Sequence, residues 1–318
     1  MKRDIVMNDL FLPRIIQGIK APPVKCQGIK TKLVPFIARN IRWNGEGRWI
    51  EPFMGSGVVA FNIRPDRALL ADTNKHIIGL YNDLKQNKID KHLVKKYLLE
   101  MGAELLEKGE DFYYQVREDF NQSGGSLPFL FLNRSCFNGL MRFNSKGNFN
   151  VPFGKKPERF RQAYITKITN QIAWVQSILH SVDWDFVVSD YKTILPQARS
   201  EDFVYMDPPY IGRHTDYFNS WSENDAVLLS DLANRLPCGF ALSMWLENRY
   251  RRNTHLDAHW QGHTMRTYEH FYHVGSTESL RNSMTEALVI KNGFSTLKSS
   301  AIESTKTEQQ AEMFSLVE

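Results

Sequence analysis

One run of residues limits what this chain can become more than any other. Phe203-Val204-Tyr205-Met206 reads as an apolar strand and leads straight into Asp207-Pro208-Pro209-Tyr210. Two prolines directly after a strand force an extended, rigid turn at the C-terminal edge of a sheet. That edge is where open α/β sheets bind ligands. The rest of the chain agrees with an α/β protein, because short apolar runs alternate with longer amphipathic stretches. Arg48-Trp49-Ile50 reads as a strand that stops at Glu51-Pro52. A turn, Phe53-Met54-Gly55-Ser56-Gly57, and a helical run from Val58 to Ile63 follow. Ala68 to Ala71 reads as a second strand ending at Asp72, and residues 76–121 as largely helical. Asn121 to Ser126 is expected to be a loop, and Leu127 to Leu132 is an apolar run of either type. Across residues 141–153, two alternating runs flank Ser145-Lys146-Gly147-Asn148, a β-hairpin signal. Residues 161–180 suit an amphipathic helix. Phe186 to Val188 and Glu286 to Ile290 suit strands, and a polar, loose tail is expected after Lys291.

Charge narrows the partner. Residues 1–50 hold ten basic and three acidic side chains. Residues 131–167 hold eight basic (Arg134, Arg142, Lys146, Lys155, Lys156, Arg159, Arg161, Lys167) and one acidic, Glu158. Each segment carries +7 in a chain whose net charge is +5, so the remainder is acidic. Two concentrated basic segments suit a polyanion such as nucleic acid, and equally a solvated basic face. No stretch has the roughly 18 uninterrupted apolar residues of a membrane span. The N-terminus lacks the apolar region of a secretory signal. Cys26, Cys136 and Cys238 are odd in number and far apart, which fits a reduced, cytoplasmic setting.

The chemistry at the strand end is specific. An Asp carboxylate and a Pro carbonyl are both acceptors, and together they can hold an exocyclic NH2 through both hydrogens. The amine of adenine is a poor nucleophile while conjugated. Holding both N–H groups as the nitrogen pyramidalises stabilises the transition state specifically. Tyr210 offers a flat face for a planar base. Upstream, Gly55 and Gly57 allow backbone N–H groups to approach a ligand closely. Asp72 stands where an acid accepts hydrogen bonds from ribose hydroxyls, which points to an adenosyl ligand. The turn lacks the third glycine of a dinucleotide fingerprint.

With these residues stated, the chain resembles the Dam-type, class α, adenine-N6 DNA methyltransferases, and among them the EcoRV-like members. Lys25-Cys26-Gln27-Gly28-Ile29-Lys30 is similar to the family's N-terminal motif, with Cys26 where relatives carry Trp. Glu51 to Gly57 resembles the methyl-donor loop, and Asp72 and Asn74 the ribose-site pair. Leu132 to Gly139, Arg142-Phe143-Asn144 and Asn150 to Pro157 resemble a target-recognition segment. Asp207-Pro208-Pro209-Tyr210 matches the catalytic motif. The resemblance spans about residues 20–292. It implies a Rossmann-like methyltransferase sheet, formed by residues 1–74 and 163–292, with a mostly helical target-recognition region at 75–162 carrying the hairpin and a tail at 293–318. It implies S-adenosylmethionine as cofactor, held by Cys26, Lys30, Glu51, Phe53, Gly55, Gly57, Asp72, Asn74, Asp190, Tyr191 and Asp207. Duplex DNA would be met by Lys25, Arg134, Phe137, Asn138, Arg142, Asn144, Lys146, Lys155 and Lys156. Phe137 and Asn138 would help extrude the target base, since its nitrogen lies inside the stack. Arg142 would read a guanine edge, and Lys155 and Lys156 would hold phosphates. A GAT-containing palindrome is implied, GATATC ahead of GATC, with a monomeric enzyme and a cognate restriction endonuclease as a possible partner. Rival readings are the same chemistry on cytosine N4, RNA adenine or a protein glutamine, and a silent DNA-binding relative.

Other signals carry less. His255, His259 and His263 are spaced for one helix face, but no acid or cysteine completes a metal set, and no metal is expected. Asp190 suits either a helix cap or the cofactor's adenine. Trp221 suits either packing or the border of the flipped base.

Overall fold

The computed structural model describes residues 10–209, 221–248, 252–271 and 283–296. Among them one sheet is built from β1 (Trp49–Glu51), β2 (Arg67–Asp72), β3 (Asp183–Val188), β4 (Phe203–Met206), β5 (Gly239–Asn248), β6 (Thr264–Phe271) and β7 (Ser283–Ile290). Their spatial order is β3-β2-β1-β4-β5-β7-β6. The first five are parallel, and β7 runs antiparallel between β5 and β6. From β1 the chain builds outward to β2 and β3 on one side. It then returns to lay β4 and β5 on the other. The direction of building reverses between β1 and β4, and this opens a crevice at their C-terminal ends.

Side-chain alternation along the strands divides the core into two. Trp49, Phe203 and Tyr205 share one face, where Trp49 stacks on Phe203 at 5.4 Å and on Tyr205 at 5.9 Å. Ile50, Val204 and Met206 point to the other face and pack with Leu229 and Ala233 of α8 (Glu223–Asn234). Both faces are apolar and covered, as a parallel sheet requires. On the first face lie α1 (Val34–Asn40), α2 (Val58–Ile63) and α3 (Lys75–Lys85). The second is covered by α7 (Tyr191–Ile194), α8 and α9 (Thr254–His259).

The crossover from β2 to β3 carries the largest departure from a plain α/β unit. It contains α3, α4 (Lys91–Ser123), α5 (Ser126–Ser135), a small hairpin and α6 (Gln162–Leu179). Side chains set the helix starts: Asn74 accepts from the His76 and Ile77 amides, and Asp90 from those of His92 and Leu93. α4 is broken at Gly109, whose φ of 63° no helix interior adopts. The apolar run 127–132 is helical as part of α5, with Phe129 to Leu132 buried. The expected loop at 121–126 contracts to Gly124-Gly125, both at positive φ. The hairpin forms around the Phe143–Phe149 bridge, with Gly147 at φ 81°. The boundary expected at residue 75 falls ahead of α3. That helix nonetheless lies on the sheet, with Asn82 donating to the Phe186 carbonyl and Lys85 to that of Trp184. The polar segment after Lys291 begins packed rather than loose: Phe294 covers Gly239 and meets Phe203, and Ser295 bridges to Ile41. The remainder of the expected tail, from residue 297, lies outside the described residues.

Candidate active site

Asp207 is the first residue past β4, and its side chain opens into the crevice at 24% exposure. Among the described residues its hydrogen bonds fall on one oxygen. Oδ1 receives the Lys30 ammonium at 3.1 Å and the Ser243 hydroxyl at 3.1 Å. Oδ2 has no partner among the described residues. Tyr205 lies 2.8 Å from Ser243 Oγ. A carboxylate only accepts, and serine has one hydroxyl hydrogen, so Tyr205 donates to Ser243 and Ser243 to Asp207. Lys30 is almost wholly buried. It also lies 3.7 Å from the Glu286 carboxylate, which is 1% exposed, and donates to the Gly28 carbonyl. Burial raises the Asp207 pKa, while Lys30 and Ser243 pull it down. Ser243 and Glu286 were not singled out from the sequence. The available signal was a polar residue at an inward position of two otherwise apolar strands, FALSMWL and EALVI.

The expected cofactor residues converge on a cavity of about 540 Å³ beside Asp207. Asp72 ends β2 and ties the loop to it. Its Oδ2 accepts from the Gly55 amide at 2.9 Å and its Oδ1 from the Asn74 amide at 2.8 Å. Asn74 lines the cavity, while its side chain caps α3. Glu51 is buried and accepts from the Trp49 indole at 2.8 Å. Burial and the nearby Asp207 charge push its pKa up to about 8, against the Trp49 and Ala60 N–H groups. Cys26 lines the cavity, and burial together with Asp72 and Asp207 pushes its thiol far up, so it stays protonated. At the other end Phe53 stacks on Tyr191 at 5.5 Å, and Trp221 meets both rings. Asp190 sits where α7 meets the cavity. It caps α7 by accepting from the Thr193 amide, and it lines the cavity. Gly57 departs from expectation. It is buried away from the cavity, and its φ of 72° makes the turn into α2. A Cβ there would come 2.7 Å from Met54 Cε. Glycine is required at 57 by the turn and by packing, and only Gly55 borders the space. Pro209 lines the cavity and Pro208 is buried, while Tyr210 lies outside the described residues.

The expected DNA residues separate into four groups. Phe137 is 47% exposed, Asn138 is exposed at φ 52°, and Lys25 packs under Gly139 beside them. Lys146, Lys155 and Lys156 are exposed, and Lys146 also borders the cavity. Arg142 and Asn144 brace the hairpin. Arg142 donates to Asn150, and the Asn144 side chain accepts from the Lys146 and Asn148 amides. Arg134 is a correction. It is 3% exposed, and its guanidinium donates to the Pro23 carbonyl, Gln171 and Tyr164, so it ties the insertion to the N-terminal segment. The hairpin and the cavity share a wall. The His76 ring at the start of α3 stacks on Phe143 at 5.3 Å, and both residues line the cavity. Among the described residues no three His, Cys, Asp or Glu side chains gather as a metal site. α9 ends at His259, so His263 does not share its face. No described helix is long and apolar enough to cross a membrane.

Comparison with known proteins gives this geometry a family. The model of the D12 class N6 adenine-specific DNA methyltransferases matches residues 27–280. A DNA adenine methylase of Serratia marcescens is 34% identical over 224 residues, covering 67% of this chain and 77% of that protein. A DNA adenine methylase of Vibrio cholerae is 32% identical over 247 residues, 73% of this chain and 82% of that one. The type II methyltransferase M.MjaIII of Methanocaldococcus jannaschii is 31% identical over 226 residues, 64% and 74% of the two chains. The matched span runs from the Lys30 segment through the Gly55 loop, the hairpin and Asp207, and stops just short of β7. The chain belongs to the D12 class of N6-adenine-specific DNA methyltransferases.

Proposed function

We propose that this chain transfers a methyl group from S-adenosylmethionine to N6 of an adenine flipped from duplex DNA, within a palindrome containing GAT, GATATC ahead of GATC. The observation that carries the proposal is Asp207. Its Oδ1 is occupied by the protein's own donors, its Oδ2 has no partner among the described residues, and the residue lines the cavity next to the Pro208-Pro209 turn. An acceptor oxygen beside a proline carbonyl suits an amine with two hydrogens to give. The cavity fits the cofactor by its polar lining: acceptor carboxylates at Asp72 and Asp190 and the protonated carboxyl of Glu51, beside the stacked rings of Phe53 and Tyr191. S-adenosylmethionine, when bound, supplies an electrophilic methyl group. Asp72 and Asp190 accept hydroxyl or amine hydrogens, the stacked Phe53–Tyr191 pair offers an aromatic surface to a planar ring, and the buried walls exclude water. Asp207 orients the adenine amine and takes up the charge that develops on it.

Lys25, Phe137, Asn138 and the hairpin with Arg142 supply the recognition surface, and Lys155 and Lys156 hold phosphates. We place the target-recognition region from α4 to the residues just before α6, leaving α3 with the catalytic sheet. A cognate restriction endonuclease and a monomeric state complete the reading. The experiment is transfer of labelled methyl to short duplexes bearing GATATC, GATC, a scrambled site, and GATATC premethylated at the target adenine. Incorporation confined to unmethylated GATATC supports the full proposal. Incorporation into GATC as well removes the six-base preference. No incorporation into any duplex, with cofactor binding intact, refutes duplex DNA as substrate and turns attention to RNA adenine or a silent binder.

A further inference from the structure

We propose that Ser243 and Glu286 are positioning residues that hold Asp207 along two arms, so that Oδ1 is fixed by the protein and Oδ2 alone is presented to the substrate amine. The inference rests on the reading of Asp207 as the acceptor for that amine.

Three adjacent strands supply the parts. Tyr205 stands on β4 with Asp207 two residues on, just past its end, while Ser243 stands on β5 and Glu286 on β7. One arm is neutral and runs from Tyr205 through Ser243 to Oδ1, at 2.8 and 3.1 Å. The other is ionic and runs from Glu286 through Lys30 to the same oxygen, at 3.7 and 3.1 Å. Burying a lysine between two acids costs more stability than an apolar cluster of the same volume, so the arrangement is not explained by stability alone. Dividing one ammonium between two carboxylates has a functional effect. Facing Lys30 by itself, Asp207 would sit in a closed ion pair, a weaker acceptor toward the amine. With Glu286 drawing on the same charge, Lys30 anchors Oδ1 and leaves electron density on Oδ2. Among the described residues, the other ionisable groups facing Asp207 are Glu51, Cys26 and Tyr205.

The two arms predict opposite signatures. Single-turnover methyl transfer is followed against pH for wild type, Ser243→Ala and Glu286→Gln, with cofactor and duplex affinities measured separately. Both variants should slow transfer by roughly tenfold to a hundredfold at pH 7.5, with affinities close to wild type. Ser243→Ala removes a donor to the carboxylate, so its acidic limb moves to higher pH. Glu286→Gln leaves the Lys30 charge undivided, so its acidic limb moves to lower pH. Limbs that move the same way, or not at all, overturn the two-armed hold, as does a wild-type rate in either variant. If Glu286→Gln does not fold, Glu286→Asp retains the charge but withdraws it by one methylene. Slower transfer with an unmoved limb then supports the ionic arm, and a wild-type rate overturns it. If wild type transfers no methyl to any duplex, the underlying reading fails and the inference with it. An active wild type with unaffected variants overturns the inference alone.

Discussion

Glu51 offers the sharpest test of the site's electrostatics, and it needs no ligand. Its carboxyl is 2% exposed, and its pKa rises from the ordinary 4.5 to about 8. In the unfolded chain it releases its proton above 4.5, whereas the folded protein keeps that proton until about 8. Between those values folding takes up one proton. The contribution of Glu51 to stability is therefore complete below 4.5 and is lost as pH rises through about 8. One proton corresponds to about 1.4 kcal/mol per pH unit, so about 3 kcal/mol is lost over two units. Glu51→Gln keeps the shape and the acceptor for the Trp49 indole but carries no proton to lose. Urea unfolding of both proteins without cofactor, from pH 5.5 to 8.5, should show the variant gaining on wild type. The stability difference should climb at about 1.4 kcal/mol per unit up to pH 8 and flatten beyond. Groups elsewhere titrate alike in both proteins and cancel in the difference. A difference that stays level from pH 5.5 to 8 means that Glu51 is ionised in the folded protein, and it refutes the argument from burial.

Four further outcomes are expected. Asp207→Ala should cut single-turnover transfer by roughly a thousandfold, with duplex binding retained in a gel-shift or anisotropy titration. Gly57→Ala forces a Cβ onto Met54 and Phe61 at a positive φ and should cost about 2 kcal/mol in denaturant unfolding. Arg134→Ala should cost about 3 kcal/mol, because it leaves buried acceptors without donors, and the salt dependence of duplex binding should not change. Replacing Lys155 and Lys156 together by alanine should do the reverse, lowering the salt slope by about 2 while stability stays within about 0.5 kcal/mol.

Much of the sheet was legible because its strands are apolar runs closed by strong signals. β4 spans the four residues before Asp207-Pro208, and α2 starts right after the second glycine of its turn. Local chemistry misled where one residue type serves two ends. Gly57 looked like a ligand-facing glycine, but only packing distances distinguish a glycine needed for its φ from one needed by a ligand. Arg134 sat in a basic cluster, and its charge gave no hint that Gln171 and a backbone carbonyl had already claimed it. Asn144 has a carboxamide suited to a base edge, yet it spends its oxygen on its own turn. Ser243 and Glu286 went unmarked because their meaning depends on neighbours 36 to 256 residues away in sequence. No window along the chain brings Lys30 and Glu286 together.

The place of β7 has a consequence for how the protein is made. Among the described residues it is the last strand in sequence, yet it enters between β5 and β6, which both precede it. Until it arrives, those two strands have open edges facing one another across a gap, able to pair with any other extended chain. The same strand delivers Glu286. A polypeptide cut short before β7 therefore exposes sticky edges and also lacks Glu286, a carboxylate beside Lys30. Sealing the sheet and completing the charge cluster beside Asp207 are one event, so a partly synthesised chain holds no finished centre that could act on DNA.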